Sequence, residues 1–192
     1  MPTLPLRLRN RLAGTILAAL HDSGARRELA RLAAEGGATG WIEADEARWA
    51  NPLAERARAA AVALADRPLL PADADLRQVL PAAASLFDAG LYFEVHEVLE
   101  PHWVIASGEA REALQGLIQV AVAWQHLANT NVAGARSLFV EGSARLHGAR
   151  LLGTDLDPFS RAAAEAGERI AAGQPITPPR FPSETPSIKE VS

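Results

Sequence analysis

Cysteine is absent from the 192-residue sequence, and this absence narrows the chemistry that the protein can carry out. The chain has no disulfide, no thiol nucleophile and no thiolate ligand for a metal ion. Any metal site must therefore use histidine, aspartate or glutamate, assisted by amide side chains or water. The absence also fits a cytoplasmic location, where disulfides are rare.

Lysine, aromatic side chains and long apolar runs are scarce as well. Lys189 is the only lysine and the net charge is −4, so no overall positive field would attract nucleic acid or an anionic membrane. No stretch is long and charge-free enough to predict a transmembrane helix. Aromatic residues make up 5% of the chain, so we expect the tryptophans to anchor the core: Trp41, Trp49, Trp103 and Trp124.

Hydrophobic residues make up 48% of the sequence, many of them are alanine, and they recur at helical spacing. No strand-like alternation is persuasive. The sequence therefore predicts an all-α protein, a compact multihelical array of short helices that pack antiparallel because their connections are short. We expect a helical N-terminal extension over residues 1–70, a helical core over residues 71–175, and a proline-rich tail over residues 176–192 that is extended or disordered.

Punctuating residues give the expected helix boundaries. In the N-terminal extension, Asn51 would cap a helix that has Pro52 at its first position. In the core, Pro81 would open a helix that ends at Gly90. Further helices are expected from Leu91 to about Trp103, from Glu112 to Leu127, from Ala133 to about His147, and from Asp157-Pro158 to near Gly173.

Three motifs in the middle of the chain carry a family resemblance. They are Phe93–Glu100 followed by Trp103, then Leu114–Gln119, then Trp124–Leu127 followed by Asn131 and Gly134-Ala135. In this order, from about residue 86 to about residue 147, the sequence resembles the family known as domain of unknown function 309. The resemblance implies a compact multihelical array and an intracellular bacterial or archaeal origin. It implies no activity, because the family is named for lacking one.

The first motif places a histidine and a glutamate on a sheltered part of its helix. On a helical wheel, His96 and Glu100 lie inside an arc bounded by aromatic residues, and they are four positions apart, so their side chains can meet. A buried carboxylate needs a cation, a metal ion or several hydrogen bonds, and His96 can supply the cation or share a metal ion with it. Glu94 and Glu97 point away from this arc, and we expect them to be solvated surface acids.

The next helix is almost free of charge, which is typical of a central core helix. Its polar exceptions Gln115, Gln119 and His126 fall in one narrow stripe. This stripe is either a thin exposed edge or a surface that faces His96 and Glu100 across an antiparallel helix pair. In the second arrangement the two glutamines could donate hydrogen bonds to Glu100, His126 could be a further ligand, and the glycine at position 116 would allow a close approach of the two helices.

Three functional hypotheses follow, and the sequence leaves them open. In the first, the His/Glu/Gln cluster is a structural network in an interaction or binding protein. In the second, the protein is a metal-dependent or acid–base enzyme of hydrolase type, in which His96 and Glu100 are catalytic and bind a divalent metal together with His126. In the third, the protein binds a small ligand in a pocket between the helices, lined by Tyr92, Trp103, Gln115, Gln119 and Trp124.

The identity of any partner is equally open. The sequence predicts no membrane partner and disfavours nucleic acid, since only the N-terminal arginines could form a basic patch. A homo-oligomer or a protein partner is compatible with each of the three hypotheses. Whether the protein is an enzyme, and whether it has a cofactor, is not decided by these residues.

Overall fold

Residues 4–183 are described by a computed structural model, and they form eight α-helices and one short antiparallel hairpin. A 3₁₀ helix, Ala44–Trp49, precedes α3, and the hairpin joins α7 to α8. The elements are α1 (Leu6–Ala18), α2 (Ser23–Ala33), α3 (Ala50–Leu64), α4 (Leu76–Asp88), α5 (Tyr92–Ile105), α6 (Gly108–Ala128), α7 (Val132–Leu146), β1 (Arg150–Leu151), β2 (Thr154–Asp155) and α8 (Asp157–Ala171). The predicted all-α class is confirmed, whereas the hairpin was not predicted.

Helix α6 lies at the centre of this array, because it packs against α5 on one side and against α7 on the other. Helix α7 in turn packs against α8. The N-terminal helices are not separate from this arrangement: α1 contacts α5, and α3 contacts α4. Leu12 of α1 and Leu53 of α3 are fully buried in the same hydrophobic core as Leu99 of α5. The region predicted as an extension therefore covers part of the central block, while the boundaries at residues 70 and 175 remain predictions.

Helix α4 begins earlier than the sequence suggested, because a capping box precedes the proline. The side chain of Asp75 accepts a hydrogen bond from the backbone N–H of Gln78, and the side chain of Gln78 accepts one from the backbone N–H of Asp75. This reciprocal arrangement satisfies two free N–H groups and starts the helix at Leu76. Pro81 consequently lies inside α4, so its predicted role as the first residue of the helix is wrong.

The start of α3 also differs from the prediction. A 3₁₀ helix runs directly into α3, which begins at Ala50, so Asn51 lies inside the helix and does not cap it. The cap lies further upstream, where the side chains of Glu43 and Glu46 form a capping box for the 3₁₀ helix. The Asn-Pro pair therefore continues a helix that was already started by other residues.

The first part of the proline-rich tail packs on the core. The ring of Phe181 is buried against Phe87 and Phe159, at centroid distances of 5.0 and 5.5 Å. Arg180 donates a hydrogen bond of 2.6 Å to the carboxylate of Asp88. Residues 176–183 contain no helix or strand, as expected, but they are held by these contacts. The rest of the predicted tail lies outside the described residues.

Two glycines bring α6 and α7 close together. A Cβ atom on Gly116 of α6 would lie 2.7 Å from Cγ of Leu146 and 3.1 Å from the backbone oxygen of Gly142 on α7. Gly116 was expected to allow close packing against α5, and the structure shows that it does so against α7.

None of the helices within residues 4–183 has both the length and the apolarity needed to cross a membrane.

Candidate metal centre

Three potential metal ligands meet on one turn of α5. Nδ1 of His96 lies 3.2 Å from Oε1 of Glu97, and Nε2 of His96 lies 4.0 Å from Oε1 of Glu100. One ligand atom from each of the three side chains can be chosen so that all lie within 4.8 Å of one another. The side chains are partly exposed, at 29% for His96, 34% for Glu97 and 48% for Glu100. The cluster is thus held by the helix and is reached by solvent.

The two glutamates expected at the surface have different positions in the structure. Glu97 is partly exposed but contacts His96, so it belongs to the cluster. Glu94 is completely buried, and the expectation that it is a surface acid is wrong. The reason lies in the N-terminal helices, which cover the face of α5 that a wheel of α5 alone assigns to solvent. Arg56 of α3 lies there, 4.0 Å from Oε2 of Glu94.

The Arg56–Glu94 pair is buried and incompletely hydrogen-bonded. Neither side chain exposes more than 3% of its surface. Nε of Arg56 and both carboxylate oxygens of Glu94 have no hydrogen-bond partner. Burial raises the pKa of Glu94, while the positive charge of Arg56 acts in the opposite direction. This pair brings α3 against α5 two residues before His96 in the sequence.

His126, the third predicted metal ligand, does not join the cluster. It lies near the end of α6, where Nδ1 of its ring accepts a hydrogen bond of 2.7 Å from the side-chain amide of Asn131. The side-chain oxygen of Asn131 accepts a hydrogen bond from the backbone N–H of Gly134, so its side-chain nitrogen faces His126 and is the donor. Tyr92 of α5 lies beside Trp124 of α6, so antiparallel packing separates His96 and His126 by about six residues along the axis, roughly 9 Å.

Asn131 holds the α6–α7 turn, and its replacement gives a testable result. Asn131→Ala removes the N-cap of α7 and the partner of His126, so we expect the free energy of unfolding to fall by about 1 kcal/mol. Urea denaturation followed by circular dichroism measures this change. Asn10→Ala is the matched control, since Asn10 is exposed in α1 and, within residues 4–183, its side chain hydrogen-bonds only with the neighbouring arginine. An equal effect of the two substitutions would contradict the assigned role of Asn131.

The predicted glutamine stripe is directed at α7 and not at α5. Nε2 of Gln119 donates a hydrogen bond of 3.0 Å to Oε2 of Glu141, whose other oxygen accepts from Ser137. Gln115 is partly exposed and makes no hydrogen bond with its side chain among residues 4–183. The polar stripe of α6 therefore lies along the interface between α6 and α7, as the positions of His126 and of the glycine contact described above also indicate.

The aromatic residues predicted to line a ligand pocket contact other core residues. The ring of Tyr92 packs between Phe87 and Trp124, at centroid distances of 5.1 and 6.2 Å. Burial, with a smaller contribution from the nearby Asp88 carboxylate, raises the pKa of Tyr92 to about 12. Trp124 also packs edge-on against Phe139 at 5.3 Å. These contacts fix α5 and α6 against each other at the end of α5 that precedes His96.

A residue that sequence reasoning missed secures the other end of α5. The guanidinium group of Arg111, on α6, stacks on the ring of Trp103 at 4.2 Å. It also donates hydrogen bonds to the backbone oxygens of Trp103 and Val104, which are exposed at the end of the helix. An arginine placed shortly after a helix end is a recognisable signal for such capping. The turn that bears Glu100 is therefore fixed from both sides.

Comparison with known proteins identifies one family. Residues 80–138 match the model of a family described as domain of unknown function (DUF309). The matched block contains all of α5 and α6, and with them the His96 cluster and Arg111. The resemblance seen in the sequence is thereby confirmed for the central block of the chain. No curated protein and no solved structure matches the sequence.

Proposed function

We propose that the protein binds a divalent metal ion through His96 and Glu100, with Glu97 in support, and uses this ion in a hydrolytic reaction. The family that matches residues 80–138 has no assigned activity, so the proposal is based on the geometry of the cluster. The observation that supports this proposal is the convergence of one imidazole and two carboxylates on a partly exposed helix turn. Mixed nitrogen and oxygen ligands suit zinc, manganese or iron. The absence of cysteine fits such a site in a cytoplasmic protein.

The two distances to His96 suggest different roles for the two glutamates. The 3.2 Å contact between Nδ1 and Glu97 has the length of a hydrogen bond. A carboxylate in this position fixes the ring and its tautomer, which is the usual support for a metal-bound histidine. The 4.0 Å gap between Nε2 and Glu100 is too long for a hydrogen bond. Two ligand atoms on one tetrahedral metal ion, with bonds of about 2.0–2.2 Å, lie roughly 3.3–3.6 Å apart, so a small rotation of the Glu100 side chain would bring both atoms onto the same ion.

The chain supplies two firm ligands, so most coordination positions of the metal would be open to water or substrate. A bound metal ion would lower the pKa of a coordinated water and make it a nucleophile at neutral pH. Glu97 would keep Nδ1 of His96 protonated, so that Nε2 remains free to bind. Arg111 would hold the helix end and thereby the position of Glu100.

Metal titration by isothermal titration calorimetry tests this proposal on protein that has been stripped of metal. Wild type should bind one Zn²⁺ or Mn²⁺, and His96→Ala should abolish binding. Glu97→Gln should weaken it about 10–100-fold, as loss of a supporting carboxylate does elsewhere. His147→Ala is the matched control, because His147 also lies 3.2 Å from a carboxylate, that of Asp157, but belongs to no three-ligand group among the residues that the structure describes. Equal binding by His96→Ala and wild type would refute the proposal.

A structural network in an interaction protein is the second candidate. It is favoured by the fact that both ring nitrogens of His96 face carboxylates, so that a protonated ring could pair with both without a metal ion. In that case the wild type would bind neither Zn²⁺ nor Mn²⁺. His96→Ala would then lower thermal stability, because two neighbouring carboxylates would lose their shared cation.

A further inference from the structure

A separate cavity of about 360 Å³ lies between the end of α1, the segment that follows α3, and the first half of α4. Three arginines line it, Arg26, Arg67 and Arg77, and no aspartate or glutamate does. Leucine, proline and alanine side chains form most of the remaining surface, including the buried Leu20, and Gln78 adds one polar side chain. None of the cluster residues His96, Glu97 and Glu100 lines this cavity. In a chain of net charge −4, this is a local concentration of positive charge.

The guanidinium group of Arg26 is positioned by neutral partners. It donates to the backbone oxygens of Ala19, Arg67 and Pro68, at 2.9, 2.6 and 3.2 Å. These bonds orient the guanidinium group, but no carboxylate among residues 4–183 forms an ion pair with it. A guanidinium has five N–H donors, so two of those on Arg26 remain available. The side chain of Arg26 is partly exposed and lines the cavity, where these donors can meet a ligand.

Arg67 is held in a similar way. Its Nε donates a hydrogen bond of 2.9 Å to the hydroxyl of Ser85, and that hydroxyl donates to the backbone oxygen of Pro81. In the described part of the chain Arg67 makes no ion pair. Both terminal nitrogens of its guanidinium group are therefore left for another acceptor, while Ser85 fixes the direction of the group. Arg77 also lines the cavity.

We propose that this cavity binds a small organic anion, a carboxylate or a phosphate monoester with a short apolar body. Guanidinium groups with paired donors match the oxygens of carboxylate and phosphate, and such charge-assisted bonds are about twice as strong as neutral ones. A volume of about 360 Å³ is within the range of small-ligand sites. The apolar surface at Leu20 and the proline rings accepts the body of the ligand, and the arginines neutralise its charge. Binding at this cavity does not require the metal centre.

Calorimetric titration of the full-length protein with phenyl phosphate and with benzoate, at low ionic strength, tests the proposal. Benzamide is the neutral counterpart of benzoate. We expect saturable one-to-one binding of at least one anion and none of benzamide. Arg67→Gln should weaken anion binding at least about tenfold, since it removes a charged donor. Arg67→Lys should retain more of the affinity than Arg67→Gln, because it keeps the charge. Tighter binding of phenyl phosphate identifies a phosphate ligand, and tighter binding of benzoate identifies a carboxylate.

The matched control is Arg169→Gln, which changes the net charge equally but lies on α8, where Arg169 pairs with Glu165 on the surface. Circular dichroism of each variant establishes that it is folded before titration. Equal affinity in Arg67→Gln and wild type overturns the proposal. So does equal weakening by Arg67→Gln and Arg169→Gln. The absence of saturable anion binding up to about 10 mM, about ten times the concentration that half-fills a millimolar site, also overturns it.

Discussion

Replacement of Arg56 by methionine is expected to lower the free energy of unfolding by about 3–5 kcal/mol at neutral pH, the largest effect of any single substitution considered for this protein. The reason is that Glu94 is fully buried and Arg56 is the cation nearest to it. Without Arg56 the carboxylate would remain in an apolar environment with neither of its oxygens hydrogen-bonded. Urea denaturation at several pH values measures the loss.

The dependence of this effect on pH has a definite sign. The pKa of Glu94 in the folded protein is raised above its ordinary value of 4.5 by burial. The folded state therefore binds the Glu94 proton more tightly than the unfolded state does. The stability that protonation of Glu94 contributes is complete below pH 4.5 and is lost as pH rises through the pKa of the folded state. Removal of Arg56 raises the folded pKa further. The destabilisation of Arg56→Met should consequently be smaller at pH 5 than at pH 8.

A double variant serves as the control for the buried pair. Arg56→Met combined with Glu94→Leu removes both charges, and we expect its stability to be within about 1 kcal/mol of wild type or higher, as found for other buried pairs replaced by apolar residues. Arg169→Met, which breaks a surface pair with Glu165, should change stability by less than about 1 kcal/mol. A loss below about 1 kcal/mol in Arg56→Met would show that water or another group satisfies Glu94.

Replacement of Gly116 by alanine is expected to destabilise the protein by about 1–3 kcal/mol, although alanine is the better helix former. The added Cβ would lie 2.7 Å from Cγ of Leu146 and 3.1 Å from the backbone oxygen of Gly142. Leu146 is completely buried among close-packed neighbours, so either its side chain or the backbone of α7 must shift to make room. Thermal denaturation followed by circular dichroism detects the change.

The same substitution elsewhere in the chain should have the opposite effect. Gly14 lies in the middle of α1, is exposed, and would have no atom within 4 Å of an added Cβ. Gly14→Ala should therefore stabilise the protein by about 0.5–1 kcal/mol through helix propensity alone. If Gly116→Ala were also stabilising, the close approach of α6 and α7 would be refuted.

The helices of the central block were accessible from sequence because each carries an apolar periodicity, although the start of α4 was misplaced at Pro81. The proximity of His96 and Glu100 was likewise a local matter of four-residue spacing. Glu94 was misplaced because a helical wheel assigns one buried face to each helix, whereas α5 is covered on two sides. Its partner Arg56 lies on a helix far upstream, and no local pattern connects the two.

The polar stripe of α6 shows a related limit. Its members Gln119 and His126 do share one side of the helix, as the wheel indicated. A core helix has several neighbours, however, and periodicity does not say which of them a given side faces. The contact of Gly116 with α7 decides this question in the structure. The burial of Phe181 was missed for the same reason, since its partners Phe87 and Phe159 lie on distant helices.

The metal content of untagged protein, measured by plasma mass spectrometry for wild type, His96→Ala and His147→Ala, tests the central proposal most directly. The proposed function predicts a near-stoichiometric transition metal in wild type and in His147→Ala, and its loss in His96→Ala. An absence of metal from all three proteins after growth with added zinc and manganese, together with a lower melting temperature of His96→Ala, would contradict it and indicate a structural role for the cluster.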